Sequence, residues 1–348
     1  MNTLDIQRNV PLAPLTTLEL GGAAKHFVRV QSEPALIDAL HWATARDCPV
    51  AILGGGSNLI VPDEGYDGLV VQLGMSDLTF RDGGLIQAGA GVPWEDVVDG
   101  AVFRGWAGVE CLTGIPGSTG ATPIQNVGAY GQEVAGVIDR VRVVRRDTLE
   151  AEELNPSECE LDYRNSVFKR HPDRFVVTGV DFALRPDGPP SIRYAELQDN
   201  VAAHASLGDV RRAVLELRKR KSMVLDRGDA NHRSAGSFFL NPVVPTNQAE
   251  TLVERAVDEG LVTTASEVPR YPAQEGRTKL AAGWLIEKAG IAKGTRRGAI
   301  GVSTNHALAL VHHGGGTTAE LLAFAEEIRA RVRDRFGVDL EREPRLLQ

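Results

Sequence analysis

Two glycine-dense stretches constrain this chain more than any other feature. Gly54-Gly55-Gly56-Ser57-Asn58-Leu59 follows directly on the apolar run Val50-Ala51-Ile52-Leu53, and a longer segment extends from Thr113 to Gln132. Residues without a Cβ let the main chain turn tightly and bring successive N–H groups close to an anion, forming concave nests for a pyrophosphate. A Rossmann fingerprint or a P-loop passes from its glycines into a helix. Here the glycines lead into Leu59-Ile60-Val61-Pro62, which reads as another short strand. No Gly-Lys-Ser/Thr follows, which argues against nucleoside triphosphate hydrolysis. A glycine triplet alone is most simply a tight turn. The second segment shifts the balance: Gly117, Ser118, Gly120, Thr122, Gln125, Asn126, Gly128 and Ala129 supply backbone and neutral side-chain donors with few charges, as a dinucleotide coenzyme requires.

A length of 348 residues points to two or three domains. The net charge of −8 argues against nucleic acid as a partner, because backbone binding needs a basic face. Cys48, Cys111 and Cys159 are odd in number and far apart, so neither a disulfide framework nor a structural zinc site is expected. A reducing cytoplasm is the simplest location. No stretch approaches the roughly 20 apolar residues of a membrane helix, and a soluble protein is expected.

Leu36, Leu40 and Ala43 recur at helical spacing behind a Ser32 cap, and a strand from Val50 then enters the first glycine loop. Two strand-like runs between Leu69 and Ala90 are split by Asp82-Gly83-Gly84, a hairpin signal. A helix is expected from Pro93 to Arg104, with strands at 141–144 and 175–184. Residues 209–220 form an amphipathic helix that could connect domains. Two further helices are expected at 280–289 and 318–336, the second with Thr317 and Glu320 in capping-box spacing and Gly337 as its stop. His312-His313, next to Gly314-Gly315-Gly316, reads as a turn.

Three polar clusters stand apart from the glycine loops: Tyr163-Arg164-Asn165-Ser166-Val167-Phe168-Lys169, Ser234-Ala235-Gly236-Ser237-Phe238-Phe239-Leu240-Asn241-Pro242, and Leu340-Glu341-Arg342-Glu343-Pro344-Arg345. Each has a plain explanation. Arg164 can pair with a surface carboxylate, Ser237 can turn the backbone, and Glu343 can belong to a solvated tail. No Gly-x-Ser-x-Gly elbow is present, which disfavours a serine hydrolase. A serine without a neighbouring base is a poor nucleophile, but it serves as a proton donor where a nearby charge stabilises the alkoxide. The eight histidines show no metal-ligand spacing, and no metal is expected.

Taken in order, these motifs together with Ile115-Pro116-Gly117-Ser118, Pro123 to Gly131 and Lys279 to Ile286 resemble the UDP-N-acetylenolpyruvoylglucosamine reductase family along essentially the whole chain. The glycine loops are common to a wider flavin family; the Tyr-Arg, Gly-Ser-Phe-Phe and C-terminal Glu elements are more specific. The resemblance implies a mixed α/β and α+β fold. A two-subdomain FAD-binding unit of the vanillyl-alcohol-oxidase type would comprise residues 1–74, joined by 338–348, and residues 75–222. A C-terminal α/β substrate-binding domain would span 223–337. It implies dissociable FAD held by Gly54, Gly55, Gly56, Ser57, Asn58, Leu59 and the second segment. NADPH would act as co-substrate, and UDP-N-acetylglucosamine enolpyruvate would be reduced to UDP-N-acetylmuramate. Ser237 is then the proton donor, while Arg164 and Glu343 stabilise the enolate, with Glu341 the alternative carboxylate. Tyr130, Tyr163, Tyr194, Lys221 and Asn241 would hold the substrate. A cytoplasmic monomer is expected, with no membrane partner.

Two other readings stay open on the sequence. One is a related flavin oxidase that acts on a sugar or hydroxy acid and uses oxygen. The other is a catalytically silent flavin- or nucleotide-binding protein, which the joint presence of Arg164, Ser237 and a terminal glutamate disfavours.

Overall fold

The computed structural model describes residues 4–348. The chain first builds a four-stranded sheet in the order Gln7–Pro11, Ala23–Val30, Tyr66–Leu73, Val50–Leu53, antiparallel in its first pair and parallel in the others. A parallel crossover needs a long connection, and the helix Glu33–Thr44 supplies it, burying Leu36, Ala39, Leu40 and Ala43. Its N-terminus is capped as the sequence predicts, with the Ser32 hydroxyl accepting the Ala35 N–H at 3.3 Å. The run after Leu69 breaks at Gly74. Only its second part, Leu78–Arg81, forms the hairpin with Leu85–Gly89 across Asp82-Gly83-Gly84.

That hairpin is the edge of a five-stranded antiparallel sheet, ordered Ala151–Leu154, Ile138–Arg145, Phe175–Ala183, Leu85–Gly89, Leu78–Arg81. The helix Trp94–Phe103 packs on it through Trp94, Val97, Val98 and Ala101. Its neighbour, the helix Leu207–Arg220, buries Leu207, Val210, Val214 and Leu217. A third sheet, Ser234–Ser237, Ala309–His312, Ile300–Val302 and Arg296–Arg297, is antiparallel throughout. Against it lies the long helix Thr318–Phe336, whose buried stripe of Leu321, Phe324, Ile328 and Val332 follows the three-to-four-residue spacing of a one-sided helix. Thr317 and Glu320 form a reciprocal capping box, and Gly337 closes the helix at φ +67°, a conformation that glycine adopts without a Cβ penalty.

The C-terminal segment crosses between these layers. The Leu240 N–H donates to the Glu341 carbonyl and the Glu343 N–H to the Phe238 carbonyl, both at 2.9 Å. Arg345–Leu346 then pairs in parallel with Leu59–Ile60, directly after the first glycine loop. Backbone pairing therefore fixes residue 343 between the Gly-Ser-Phe-Phe strand and the glycine loop. His312 departs from the turn expected of it: it ends the strand Ala309–His312 and is 7% exposed. Its Nε2 accepts the Gly316 N–H, so Nδ1 carries the proton to the Leu18 carbonyl at 3.0 Å. Nδ1 thus joins this sheet to the N-terminal segment, while Nε2 holds the loop that follows the strand.

No helix among the described residues is long and apolar enough to cross a membrane, and no cluster of three or more His, Cys, Asp or Glu side chains is placed to hold a metal ion.

Candidate active site

The two glycine stretches meet. A Cβ built on Gly55 would lie 2.8 Å from the Gly117 Cα, and one on Gly54 would lie 2.7 Å from the Ser118 hydroxyl. The Ser57 hydroxyl donates to the Pro116 carbonyl at 2.8 Å, and the Asn58 amide donates to the Gln125 side-chain oxygen. Such an approach is open only to residues without side chains. Among the described residues, none of the five successive amides from Gly54 to Asn58 donates a hydrogen bond within the protein, and those of Ile115, Gly117 and Ser118 are likewise uncommitted. Backbone N–H groups normally find partners. Eight free donors on two facing loops, with no acidic side chain on either, suit an anionic ligand such as the diphosphate of FAD.

These loops wall one side of a concave cleft, the usual form of a small-molecule site. Ser57, Asn58, Gln125, Gly128, Arg164, Ser237 and Glu343 all line it. Other predicted members stand behind the wall. Gly120 packs on Ala90, and Gly56, at φ +66°, abuts the Leu15 carbonyl. Leu59 pairs with Arg345, and the Thr122 hydroxyl donates to the Thr119 carbonyl at 2.8 Å. The Asn126 side chain is 1% exposed and spends its hydrogen bonds on Glu133, the Asp162 carbonyl and the Ala135 N–H. These residues shape the loops.

Arg164 reaches the cleft from a backbone held at φ +50°, an uncommon conformation for a residue with a side chain. Its guanidinium donates to the carbonyls of Gly128 at 2.6 Å and Asn126 at 3.3 Å, and its Nε lies 3.4 Å from Glu343 Oε1. Gln125 Nε2 also donates to that oxygen, at 3.3 Å. Burial pushes the Glu343 carboxyl above the usual carboxylate range, against the opposing pull of Arg164 and Lys169. Glu341 is exposed, so the terminal carboxylate in the cleft is Glu343. Ser237 ends its strand beside Gly236, which sits at φ +73°. Among the described residues its hydroxyl has no hydrogen-bond acceptor, and the residue lines the cleft.

Tyr130, Tyr194 and Lys221 form a second group farther along. The two tyrosine rings meet edge to face with centroids 5.4 Å apart, and Lys221 Nζ lies 5.9 Å from the Tyr130 ring while pairing with Glu196. Burial raises the Tyr130 hydroxyl to about 12 and also raises that of Tyr163. Tyr163 carries Lys279 Nζ 4.1 Å from its ring centroid. The Asn241 carbonyl oxygen accepts the Ala282 N–H at 2.9 Å, at the start of the helix Ala282–Lys288. Sequence reasoning missed Arg218, Met223, Val224, Leu225 and His232, which also line the cleft.

Residues 24–148 match the FAD binding domain model, and residues 228–347 match the model of the UDP-N-acetylenolpyruvoylglucosamine reductase C-terminal domain. The reductase of that name from Thermobifida fusca is 44% identical over 98% of both chains. Its counterpart from Nocardia farcinica is 45% identical over 97% of this chain and 89% of its own. The crystal structure of the Thermus caldophilus reductase, 24% identical, covers 99% of this chain and 100% of its own at a TM-score of 0.67, which supports the fold. With a flavin-binding N-terminal part, a reductase-specific C-terminal part and full-length relatives above 40% identity, this chain is an oxidoreductase belonging to the UDP-N-acetylenolpyruvoylglucosamine reductase family.

Proposed function

We propose that this chain reduces UDP-N-acetylglucosamine enolpyruvate to UDP-N-acetylmuramate in peptidoglycan precursor synthesis, using NADPH as the electron source, in the cytoplasm. The observation that carries the proposal is the convergence of Arg164, Glu343 and Ser237 in the cleft walled by the two glycine loops. When bound, FAD supplies hydride transfer between the two substrates, and the free amides of residues 54–58 and 115–118 would hold it.

The remaining chemistry falls to side chains of this chain. Hydride addition at C3 of an enol ether places negative charge on C2 and the adjacent carboxylate, so a site for it must stabilise an enolate and deliver a proton. Arg164 is suited to pair with the carboxylate through a fork of N–H donors. Glu343, its carboxyl biased toward the neutral form by burial, is suited to donate a hydrogen bond to an enolate oxygen. Ser237 then donates the proton to C2. Tyr130, Tyr163, Tyr194, Lys221 and Asn241 hold the sugar nucleotide, with Lys221 exchanging Glu196 for diphosphate oxygens. The chain would divide into 1–74 with 338–348, 75–222 and 223–337; the core around Ile86–Phe182, which lies wholly within 75–222, supports the second unit.

Anaerobic stopped-flow absorbance tests the proposal. NADPH should bleach the flavin of the FAD-loaded protein, and UDP-N-acetylglucosamine enolpyruvate should then restore the oxidised spectrum. A flavin that stays reduced until oxygen enters would overturn it in favour of an oxidase.

A further inference from the structure

Arg218 is a cation without a counter-ion. It lies on the last turn of the helix Leu207–Arg220, is 8% exposed, and lines the same cleft as Ser237 and Arg164. Its Nη2 donates to the Met223 carbonyl at 2.7 Å, while its buried Nε has no hydrogen-bond partner among the described residues. Among the described residues no acid pairs with it. Glu95, whose charge reaches it, is committed to Arg211, the Thr113 hydroxyl and the Gly114 N–H. Burial lowers its pKa to about 10, and the nearby Arg164 charge acts in the same direction.

A buried, uncompensated charge is among the costlier features a fold can carry. A purely structural arginine on this apolar stripe, beside Val214 and Leu217, could be replaced by a hydrophobic residue with gain of stability. The cost is offset where a bound anion completes the pair. The Nε faces the second glycine loop, since a Cβ built on Gly114 would lie 3.3 Å from it. The guanidinium therefore lies beside the second glycine loop, and the Tyr130 hydroxyl is close enough to act on its charge.

We propose that Arg218 is an anion-binding residue of the cleft, its guanidinium completing the site for an anionic oxygen that the ligand carries. Two sources present such an oxygen, the FAD cofactor and the nucleotide-sugar substrate. The inference rests on the functional reading above only in treating the cleft as the ligand site.

The test uses full-length Arg218→Met and Arg218→Lys proteins. Three quantities are measured: the Kd of FAD for flavin-stripped protein by fluorescence quenching, the Kd of UDP-N-acetylglucosamine enolpyruvate for FAD-loaded protein by flavin absorbance, and the Tm of flavin-free protein. A hydrogen bond to a charged group contributes roughly 1.5–3 kcal/mol, so Arg218→Met should weaken one of the two ligands by about 10- to 100-fold. Arg218→Lys should recover part of the loss, and the flavin-free Arg218→Met protein should melt no lower than wild type. Loss for FAD identifies the cofactor as the source, and loss for the nucleotide sugar alone identifies the substrate. Unchanged affinities for both, or a lower Tm that by itself accounts for weaker binding, would overturn the assignment. Wild-type protein that binds FAD but not the nucleotide sugar would sink the functional reading while leaving the Arg218 comparison with FAD standing.

Discussion

Arg164 and Glu343, far apart in sequence, face each other across 3.4 Å in the wall of the cleft. The pair exists because two backbone devices converge: the left-handed turn at Arg164, and the antiparallel bond from the Glu343 N–H to the Phe238 carbonyl. Its net electrostatics favour a neutral carboxyl, since desolvation outweighs the attraction of Arg164 and Lys169.

That balance makes Glu343 a pH-dependent stability element. A carboxyl whose pKa rises on folding contributes stability that is fully present below its unfolded value and is lost as pH rises through the folded one. Glu343→Gln mimics the protonated form. Its Tm relative to wild type should climb as pH rises from the ordinary glutamate value of 4.5, and level off once the native carboxyl has ionised. Thermal melts at a series of pH values measure this. A difference that stays flat, or falls with rising pH, contradicts the sign.

Ser237 separates the two half-reactions. Its hydroxyl supports no neighbour by donation, so Ser237→Ala should fold normally and leave NADPH reduction of the flavin nearly intact. Reoxidation by the enolpyruvyl substrate should slow by about 10²- to 10⁴-fold, the usual contribution of a positioned proton donor. Equal loss in both phases of a stopped-flow trace would remove the assignment.

How much of this was legible in the sequence depends on the range of the interaction. The cap at Ser32, the capping box at Thr317 and Glu320 and the glycine stop at Gly337 are local and appear as read. The glycine loops were legible as tight, donor-rich turns, but not their mutual contact, which depends on packing Gly55 against Gly117. Arg218 was passed over because the periodicity of Val210, Val214 and Leu217 describes a connector. The available signal was a cation four residues after Val214, on the apolar stripe itself. His312 misled because three glycines follow it, whereas its strand pairing with Ile300 comes from a distant part of the chain.

The cysteines give an independent check on burial. Cys111 and Cys159 are fully buried, and desolvation pushes both thiols to about 12; Cys48 is partly exposed. The thiolate is the reactive form. Native protein titrated with an aromatic disulfide should therefore release about one equivalent of chromophore rapidly, rising to three, the full cysteine complement, only on denaturation. Rapid reaction of a second thiol would contradict the burial of Cys111 and Cys159 in their hydrophobic clusters.

The loop contact can be challenged with a single methyl group. In Gly55→Ala the new Cβ would lie 2.8 Å from the Gly117 Cα and 3.0 Å from its carbonyl carbon and the Ser118 nitrogen. All three are backbone atoms, so no side chain can swing aside and the two loops must part. Overpacking of this kind costs about 1–3 kcal/mol. Because the uncommitted amides of both loops converge only while the loops touch, FAD affinity should fall by more than the loss of stability alone would produce, by about tenfold or more. Gly136→Ala is the matched control, since a Cβ there meets nothing within 4 Å, and it should leave FAD binding unchanged. Flavin fluorescence titrations of the two variants decide the matter: equal affinities would mean that the contact between Gly55 and Gly117 does not organise the cofactor site.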